Sequence, residues 1–338
     1  MAEMTSETIA YENVSVIGAG AWGTALGLVA ARGGRKVTLW ALEPEVAQDI
    51  GVTHINGRYL PGVQLPANIV ATTDLTEAAA RAEAMLLVVP AQHLRATLQK
   101  LRPHLKRGTP VVLCAKGIER GTGQLLTEVL QSELPDCEPA ILSGPSFARD
   151  AALDLPTAVT IAAKPEIATR LQATMAHGTF RPYASDDLTG VALGGAAKNV
   201  YAICCGIVAG MNLGESARAA LLARSFAELS RLGEALGART ETLMGLSGLG
   251  DLVLTATSPT SRNYAAGLAL GRGETLQNLL APGKPLAEGI ETAPALVARA
   301  RRQNIELPIA ETMAAILDGS LALSDAVPRL MGRPLKSE

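Results

Sequence analysis

Along the first half of the chain, apolar positions gather in short runs separated by stretches with helical spacing. The runs Val14–Ile17, Val37–Trp40, Ile69–Ala71, Met85–Val89, Val111–Cys114 and Ala140–Leu142 predict strands. Most are followed by an amphipathic segment: Thr24–Arg32, Glu45–Gly51, Leu75–Arg81, Gln92–Leu101 and Gly123–Leu134. Strands alternating with helices imply parallel crossovers and an open, doubly wound sheet. Two more strand-like runs, Ala158–Ala162 and Thr179–Tyr183, bracket a helical pattern over 165–176 and extend the same sheet. The pattern then changes. From Asp187 onward helical periodicity dominates, at Ser216–Leu236, Arg239–Leu246, Asn263–Leu270, Glu291–Arg302 and Ile309–Leu317, punctuated by Gly and Pro. The expected fold class is α/β: an N-terminal doubly wound sheet over residues 1–188, with the junction near 185–192, then an all-α domain over 189–338. The sequence shows no internal repeat and no low-complexity segment.

Composition narrows the partners. The 338 residues are 48% hydrophobic and 18% charged, enough to bury a sizeable core. A net charge of −2 and 3% aromatic residues argue against a surface built for nucleic acid or for base stacking. They leave room for a local basic pocket for one small anion. The four cysteines (Cys114, Cys137, Cys204 and Cys205) have neither disulfide-framework nor zinc-ligand spacing, and read as buried reduced thiols. The opening segment MAEMTSETIAYEN has acidic residues and no apolar centre, so no secretory signal is expected. Gly190–Met211 carries one charge, Lys198, with Asn199 beside it, and reads as a helix buried inside a soluble protein.

Within this frame, VSVIGAGAWGTAL places Gly18, Gly20 and Gly23 in GxGxxG spacing, after a strand and at a helix start. Such a turn lets backbone N–H groups of Ala21, Trp22 and Gly23 face a pyrophosphate, and marks a Rossmann-like dinucleotide site. Glu43 stands 20 residues beyond Gly23, where a carboxylate would bond a ribose 2′-hydroxyl; a solvated charge is the alternative. Lys116 follows a strand at its carboxyl end, where open sheets bind ligands, or is a surface lysine. Lys198 lies in an apolar helix with no local carboxylate. A buried ammonium needs a partner or a polar cavity, and burial lowers its pKa toward the range of a proton donor. Asp251, in GLSGLGDLVLT, is either its partner or a helix N-cap. The segment 257–263, TSPTSRN, combines hydroxyls, an arginine and a helix start, which suits a phosphate monoester or ordinary capping. None of the four histidines has metal-ligand or triad spacing.

Together VIGAGAWGTAL, AKGIERGTGQLL, LSGPSFA, GGAAKNVYAI, GLSGLGDLVLT, SPTSRN and AEGIET resemble the bacterial-type NAD(P)-dependent glycerol-3-phosphate dehydrogenases, in the family's order from residue 14 to about 292. The resemblance implies reversible reduction of dihydroxyacetone phosphate to sn-glycerol 3-phosphate with NAD(P)H, supplying phospholipid synthesis. It also implies a cytoplasmic homodimer with no metal. It makes Lys198 the proton-transferring residue, with Asn199 and Asp251 orienting it and the substrate. It places Lys116, Gly144, Ser146, Ser261, Arg262 and Asn263 at the substrate. Gly18, Gly20, Ala21, Trp22, Gly23, Leu42, Glu43, Lys116, Ala148, Arg262, Leu286 and Glu288 fall at the cofactor. The site is expected between the two domains. One departure bears on the cofactor. Leu42 stands where relatives often carry Arg or His facing a 2′-phosphate, so use of the two cofactors is expected to be relaxed or to lean to NADH. Ala21 replaces a common serine. The rival readings are a β-hydroxyacid or 6-phosphogluconate-type dehydrogenase, since Gly194–Lys198 fits GxxxK, and a dinucleotide sensor without catalysis.

Overall fold

The computed structural model describes residues 10–334. The reading of the opening segment therefore falls largely on residues outside the described ones. The described chain forms two compact units. One holds the residues up to Ala115 together with Leu126–Val191; the other holds Lys116–Leu125 and the residues from Ala192 on.

The first unit is built on one sheet: β1 (Asn13–Ile17), β2 (Lys36–Trp40), β3 (Ile69–Thr72), β4 (Ala84–Leu87), β5 (Pro110–Leu113), β6 (Glu138–Ser143), β7 (Thr157–Ala162) and β8 (Phe180–Ser185). Their order across the sheet is β3-β2-β1-β4-β5-β6-β7-β8. Strands β1 to β6 are all parallel. Helices α1 (Ala21–Arg32), α2 (Pro44–Thr53), α3 (Leu75–Arg81), α4 (Leu94–Leu101), α5 (Leu126–Glu133), α6 (Ala148–Ala152) and α7 (Pro165–Met175) make the connections. Val16, Leu39, Leu86, Val112 and Leu142 are buried within the sheet. Such continuous apolar strands are what a parallel sheet covered on both faces requires.

The purely parallel winding fails at one place. β7 runs antiparallel to β6, and β8 is parallel to β7. The reason is the connection. α6 has five residues, a rise of about 7.5 Å, far short of the roughly 20 Å needed to return along a six-residue strand. The predicted helix over 123–134 is likewise trimmed to α5, and Gln92–Leu101 begins with a 3₁₀ turn, Ala91–His93.

The second unit, among its described residues, has no strand. It contains α8 (Leu188–Gly210), which begins four residues earlier in the first unit, then α9 (Glu215–Ala235), α10 (Thr240–Met244), a π-helical turn (Leu246–Gly250), α11 (Asp251–Thr257), α12 (Arg262–Gly271), α13 (Leu276–Leu279), α14 (Glu288–Arg302), α15 (Pro308–Leu317) and α16 (Leu323–Met331). By length and hydropathy α8 could cross a membrane, yet 94% of its apolar window is buried inside the protein. A helix apolar on all sides is what a central core helix looks like.

α8 meets α12 backbone to backbone. A Cβ on Gly267 would lie 2.0 Å from the Ile203 carbonyl oxygen, and one on Gly206 would lie 2.2 Å from that of Tyr264. Gly206 and Gly210 on one helix thus face Gly267 and Gly271 on the other, each with the same four-residue spacing. Farther along, Glu228 of α9 is buried, and its Oε1 accepts the Ile309 N–H at 2.7 Å at the start of α15. Its Oε2 accepts from Ala310 N–H and Tyr201 O–H, both at 3.3 Å. Burial pushes this carboxyl up, against those hydrogen bonds, to about 7. Cys114, Cys204 and Cys205 are buried thiols; Cys137 is only half-buried, unlike the expectation for all four.

Two outcomes follow from this packing. Gly267→Ala should lower unfolding free energy by about 1–3 kcal/mol through overpacking, read by urea denaturation; an unchanged midpoint would mean the crossing is not tight. For Glu228 the folded pKa lies above the ordinary 4.5. Its contribution is therefore full below that value and is lost as pH rises through about 7. Glu228→Gln should not show this loss, so its stability relative to the parent should improve from mildly acidic to alkaline pH. A constant difference across that range would refute the assignment.

Candidate active site

In the first unit, the glycine-rich turn sits where the strand order reverses, between β1 and β4, the usual ligand position of an open α/β sheet. Gly18 has φ +115° and donates its N–H to the Trp40 carbonyl at 3.1 Å. A Cβ on Gly23 would lie 1.8 Å from the Gly18 carbonyl oxygen, so only glycine lets α1 start so close to the strand. Gly20 caps α1 with no side chain, and the space beside it, where a Cβ would stand, is open to 4 Å. The first N–H groups of a helix have no intrahelical partner. Here they start beside a cap residue whose Cβ direction is open, so these residues fit the pyrophosphate of a dinucleotide.

The turn is braced by a residue that motif spacing does not reveal. Asn56, buried, donates through Nδ2 to the Ala19 carbonyl and to Thr24 Oγ1, both at 2.8 Å. Glu43 is the N-cap residue of α2 but makes no capping bond; its Oε1 accepts from the Tyr59 hydroxyl at 2.6 Å. It is neither a freely solvated charge nor a capping carboxylate. Leu42 beside it is 73% exposed. Gly144, with φ +152°, follows β6; Ser146 Oγ donates to its carbonyl at 3.0 Å, and Ala148 opens α6.

In the second unit, Lys116, Lys198 and Asp251 come together. Lys198 Nζ donates to Asp251 Oδ1 at 2.5 Å, and Lys116 Nζ to Asp251 Oδ2, also at 2.5 Å. Asp251 is fully buried and Lys198 nearly so. Asp251 opens α11 but spends its oxygens on the lysines instead of capping. Glycine makes the meeting possible. Gly194, one turn before Lys198, would place a Cβ 2.7 Å from the Ser247 carbonyl oxygen. The π-helical turn therefore lies directly on α8 and delivers Asp251 to the ammonium.

Thr255, which no motif singles out, completes the cluster. Its Oγ1 accepts from Lys198 Nζ at 2.8 Å and lies 3.3 Å from Asp251 Oδ1. It stands one helical turn after Asp251, and that spacing was its available signal. Burial drives the Lys198 ammonium down from the ordinary lysine range, Asp251 opposes this, Lys116 adds to it, and the result is about 7. Burial alone would raise the Asp251 carboxyl, but the two lysines outweigh it and hold it below the usual carboxylate range. With both lysines protonated the three groups carry one excess positive charge, in a site dry enough for it to act strongly on a developing anion.

The remaining candidates of this unit cluster around the start of α12. Ser261 Oγ accepts the Tyr264 N–H at 3.2 Å as the N-cap, so the capping role is present. Arg262 is exposed at the first helical position, where a helix terminus and a guanidinium favour an anion. Asn263 donates through Nδ2 to Asn199 Oδ1 at 3.0 Å and accepts the Gly289 N–H at 2.9 Å. Asn199 is thus bonded to the α12 start, while the groups bonded to the Lys198 ammonium are Asp251 and Thr255. Leu286 is 43% exposed and Glu288 is the first residue of α14. Among the described residues no cluster of three His, Cys, Asp or Glu could hold a metal ion.

Comparison with known proteins identifies the family. The model of the NAD-dependent glycerol-3-phosphate dehydrogenase N-terminus matches residues 13–169, and that of the C-terminus matches 187–328. The chain is 55% identical to the glycerol-3-phosphate dehydrogenase [NAD(P)+] of Parvibaculum lavamentivorans over 98% of its own length and 99% of that protein. It is 56% identical to that of a Bradyrhizobium species over 97% and 98%. The crystal structure of glycerol-3-phosphate dehydrogenase from Coxiella burnetii superposes with a TM-score of 0.90 at 37% identity, over 95% of this chain and 99% of that one. Ketopantoate reductase from Ralstonia eutropha, at 18% identity and a TM-score of 0.58, shares the fold alone. A glycine turn of dinucleotide type, a lysine-flanked buried aspartate, and family models covering both halves lead to one assignment: the chain belongs to the NAD-dependent glycerol-3-phosphate dehydrogenase family.

Proposed function

We propose that this protein reduces dihydroxyacetone phosphate to sn-glycerol 3-phosphate, reversibly, with NAD(P)H. The observation that carries the proposal is the buried Lys116–Asp251–Lys198 cluster. When bound at the glycine turn, NAD(P)H would supply the hydride for the ketone carbon. The ketone oxygen then takes a proton from Lys198 Nζ, so one hydride and one proton convert C=O to CH–OH. With its pKa near 7, Lys198 is close to evenly poised between acid and base at neutral pH. Asp251 and Thr255 hold the ammonium in one direction, and the charge of Lys116 adds to the stabilisation of the oxyanion. Arg262 and the start of α12 hold the phosphate, with Ser261 shaping that turn as its cap and Asn263 fixing it to α8. Binding energy from this unreactive end positions the carbonyl.

Ala21, Trp22 and the three turn glycines carry the pyrophosphate in this reading. Gly144, Ser146, Ala148, Leu286 and Glu288 keep the roles that the family resemblance implies. At the ribose, Leu42 offers no cation to a 2′-phosphate, and the Glu43 carboxylate held by Tyr59 repels one. Cofactor use is therefore relaxed or favours NADH. A homodimer in the cytoplasm, supplying phospholipid synthesis, belongs to the same reading. Neither a β-hydroxyacid substrate nor a silent sensor accounts for the SRN turn beside an acid–base lysine.

Purified protein with dihydroxyacetone phosphate should consume reduced nicotinamide, followed by its absorbance, and kcat/KM with NADH should equal or exceed that with NADPH. A clear NADPH advantage would refute the cofactor assignment; turnover of hydroxyacids instead would refute the substrate. Lys198→Ala should lower kcat by at least ~10²-fold, and near-normal kcat would remove Lys198 from the proton-transfer role. Because reduction needs the protonated ammonium, kcat/KM for reduction should fall as pH rises through about 7, while that for oxidation rises.

A further inference from the structure

Two motifs contain residues that the site leaves without a role. In AKGIERGTGQLL only Lys116 enters the cluster, and in AEGIET the residues after Glu288 and Gly289 do not. The structure gives them one. Residues 118–125 fold back on themselves as a small hairpin, with Ile118 and Leu125 bridged in antiparallel fashion and both buried. Glu119 N–H donates to the Gln124 carbonyl at 3.0 Å, and Gly123 N–H to the Glu119 carbonyl at 3.0 Å. The Thr122 hydroxyl closes the turn on Glu119 Oε2 at 2.6 Å.

The hairpin is gripped by α14. Arg120 Nη1 pairs with Glu291 Oε2 at 2.8 Å. Arg302 Nη1 donates to the Thr122 carbonyl at 2.6 Å, and Arg299 Nη1 to the Gly123 carbonyl at 3.3 Å. Arginine in the last turn of a helix already favours the helix dipole. These two also reach the outward carbonyls of a turn that has φ +66° at Gly123. Lys116 stands two residues before the hairpin, and its ammonium is the second cation on Asp251.

We propose that the hairpin Ile118–Leu125 is a positioning arm for Lys116, held by Glu291, Arg299 and Arg302 of α14. The proposal rests on the reaction assigned above, in which Lys116 and Lys198 act on one carbonyl. A single long side chain on a mobile loop loses rotamer freedom when it is ordered. Three anchors fix the hairpin backbone that follows Lys116, and Asp251 then holds its ammonium with less freedom left to lose when substrate arrives. The arm also acts on Lys198. The groups facing that ammonium are Asp251 and Thr255 from α11 and Lys116 from the arm's base. When Lys116 withdraws, Lys198 loses a repelling charge and Asp251 is left to it alone. Both changes make Lys198 harder to deprotonate.

The test is charge reversal. Arg120→Glu should lower kcat/KM for reduction about 10- to 100-fold, the scale of a misplacement remote from the chemistry. It should also move the alkaline limb of the pH profile to higher pH. Adding Glu291→Arg should restore both. Arg302→Lys, which keeps the charge at the end of α14 but shortens its reach to the Thr122 carbonyl, should shift the limb the same way. Unchanged kcat/KM in Arg120→Glu, a loss with the limb unmoved, or no recovery in the double variant would each overturn the arm. A Lys198→Ala enzyme that still turns over normally overturns the proton-transfer role of Lys198 instead. The kcat/KM loss in Arg120→Glu and its rescue by Glu291→Arg then still decide whether the arm positions Lys116.

Discussion

Two ammonium groups in a nearly dry pocket repel each other strongly unless an anion stands between them. An unpaired buried charge costs several kcal/mol, so Lys116 and Lys198 are tenable together only because Asp251 gives each of them one oxygen. Much of the second unit can be understood as the means of bringing that carboxylate to α8. The π-helical turn lies on the backbone at Gly194, α11 starts at the aspartate, and Thr255 follows one turn later. A carboxylate on a longer tether could have met the same lysines with less precision. Here the carboxylate sits at a helix start whose approach is set by main-chain contact, and its direction changes only if a helix moves.

The cluster is also an instance of chemistry taken from imbalance. With both lysines protonated, two cations and one anion leave a net positive charge in a largely buried cluster, and the more deeply buried lysine carries the lowered pKa. A stability-driven sequence would fill such a position with an apolar side chain, which packs as well without the desolvation penalty. In the proposed reaction, retaining the charged set keeps the Lys198 ammonium close to its titration point, where it can serve as either acid or base.

The sheet was largely legible in the sequence because buried parallel strands are short apolar runs between turn residues, and the observed strands begin and end within one or two residues of most of them. Direction was not legible. That β7 turns back against β6 depends on the length of α6, a five-residue helix too short to show periodicity. The same shortness hides α11 and α13, of seven and four residues. In the site, Lys198 stood out because an ammonium in an apolar helix demands an explanation, and Asp251 because glycines crowd it. Thr255 and Asn56 carry no such signal, since one threonine hydroxyl in the apolar run of α11, or one amide in a loop, is ordinary until its neighbours are seen. The hairpin's anchors were out of reach for another reason: Arg120 and Glu291 are 171 positions apart, and local spacing carries no trace of that pairing.

The glycine seam between α8 and α12 turns two helices into a ruler. Where backbones touch, no rotamer change can lengthen or shorten the gap, because no side chain lies between them. Lys198 is carried on one edge of this ruler and the Arg262 turn starts the other. In the proposed reaction the span from phosphate to carbonyl is therefore gauged by main-chain geometry, and selection for a three-carbon substrate is written into residues that never meet it.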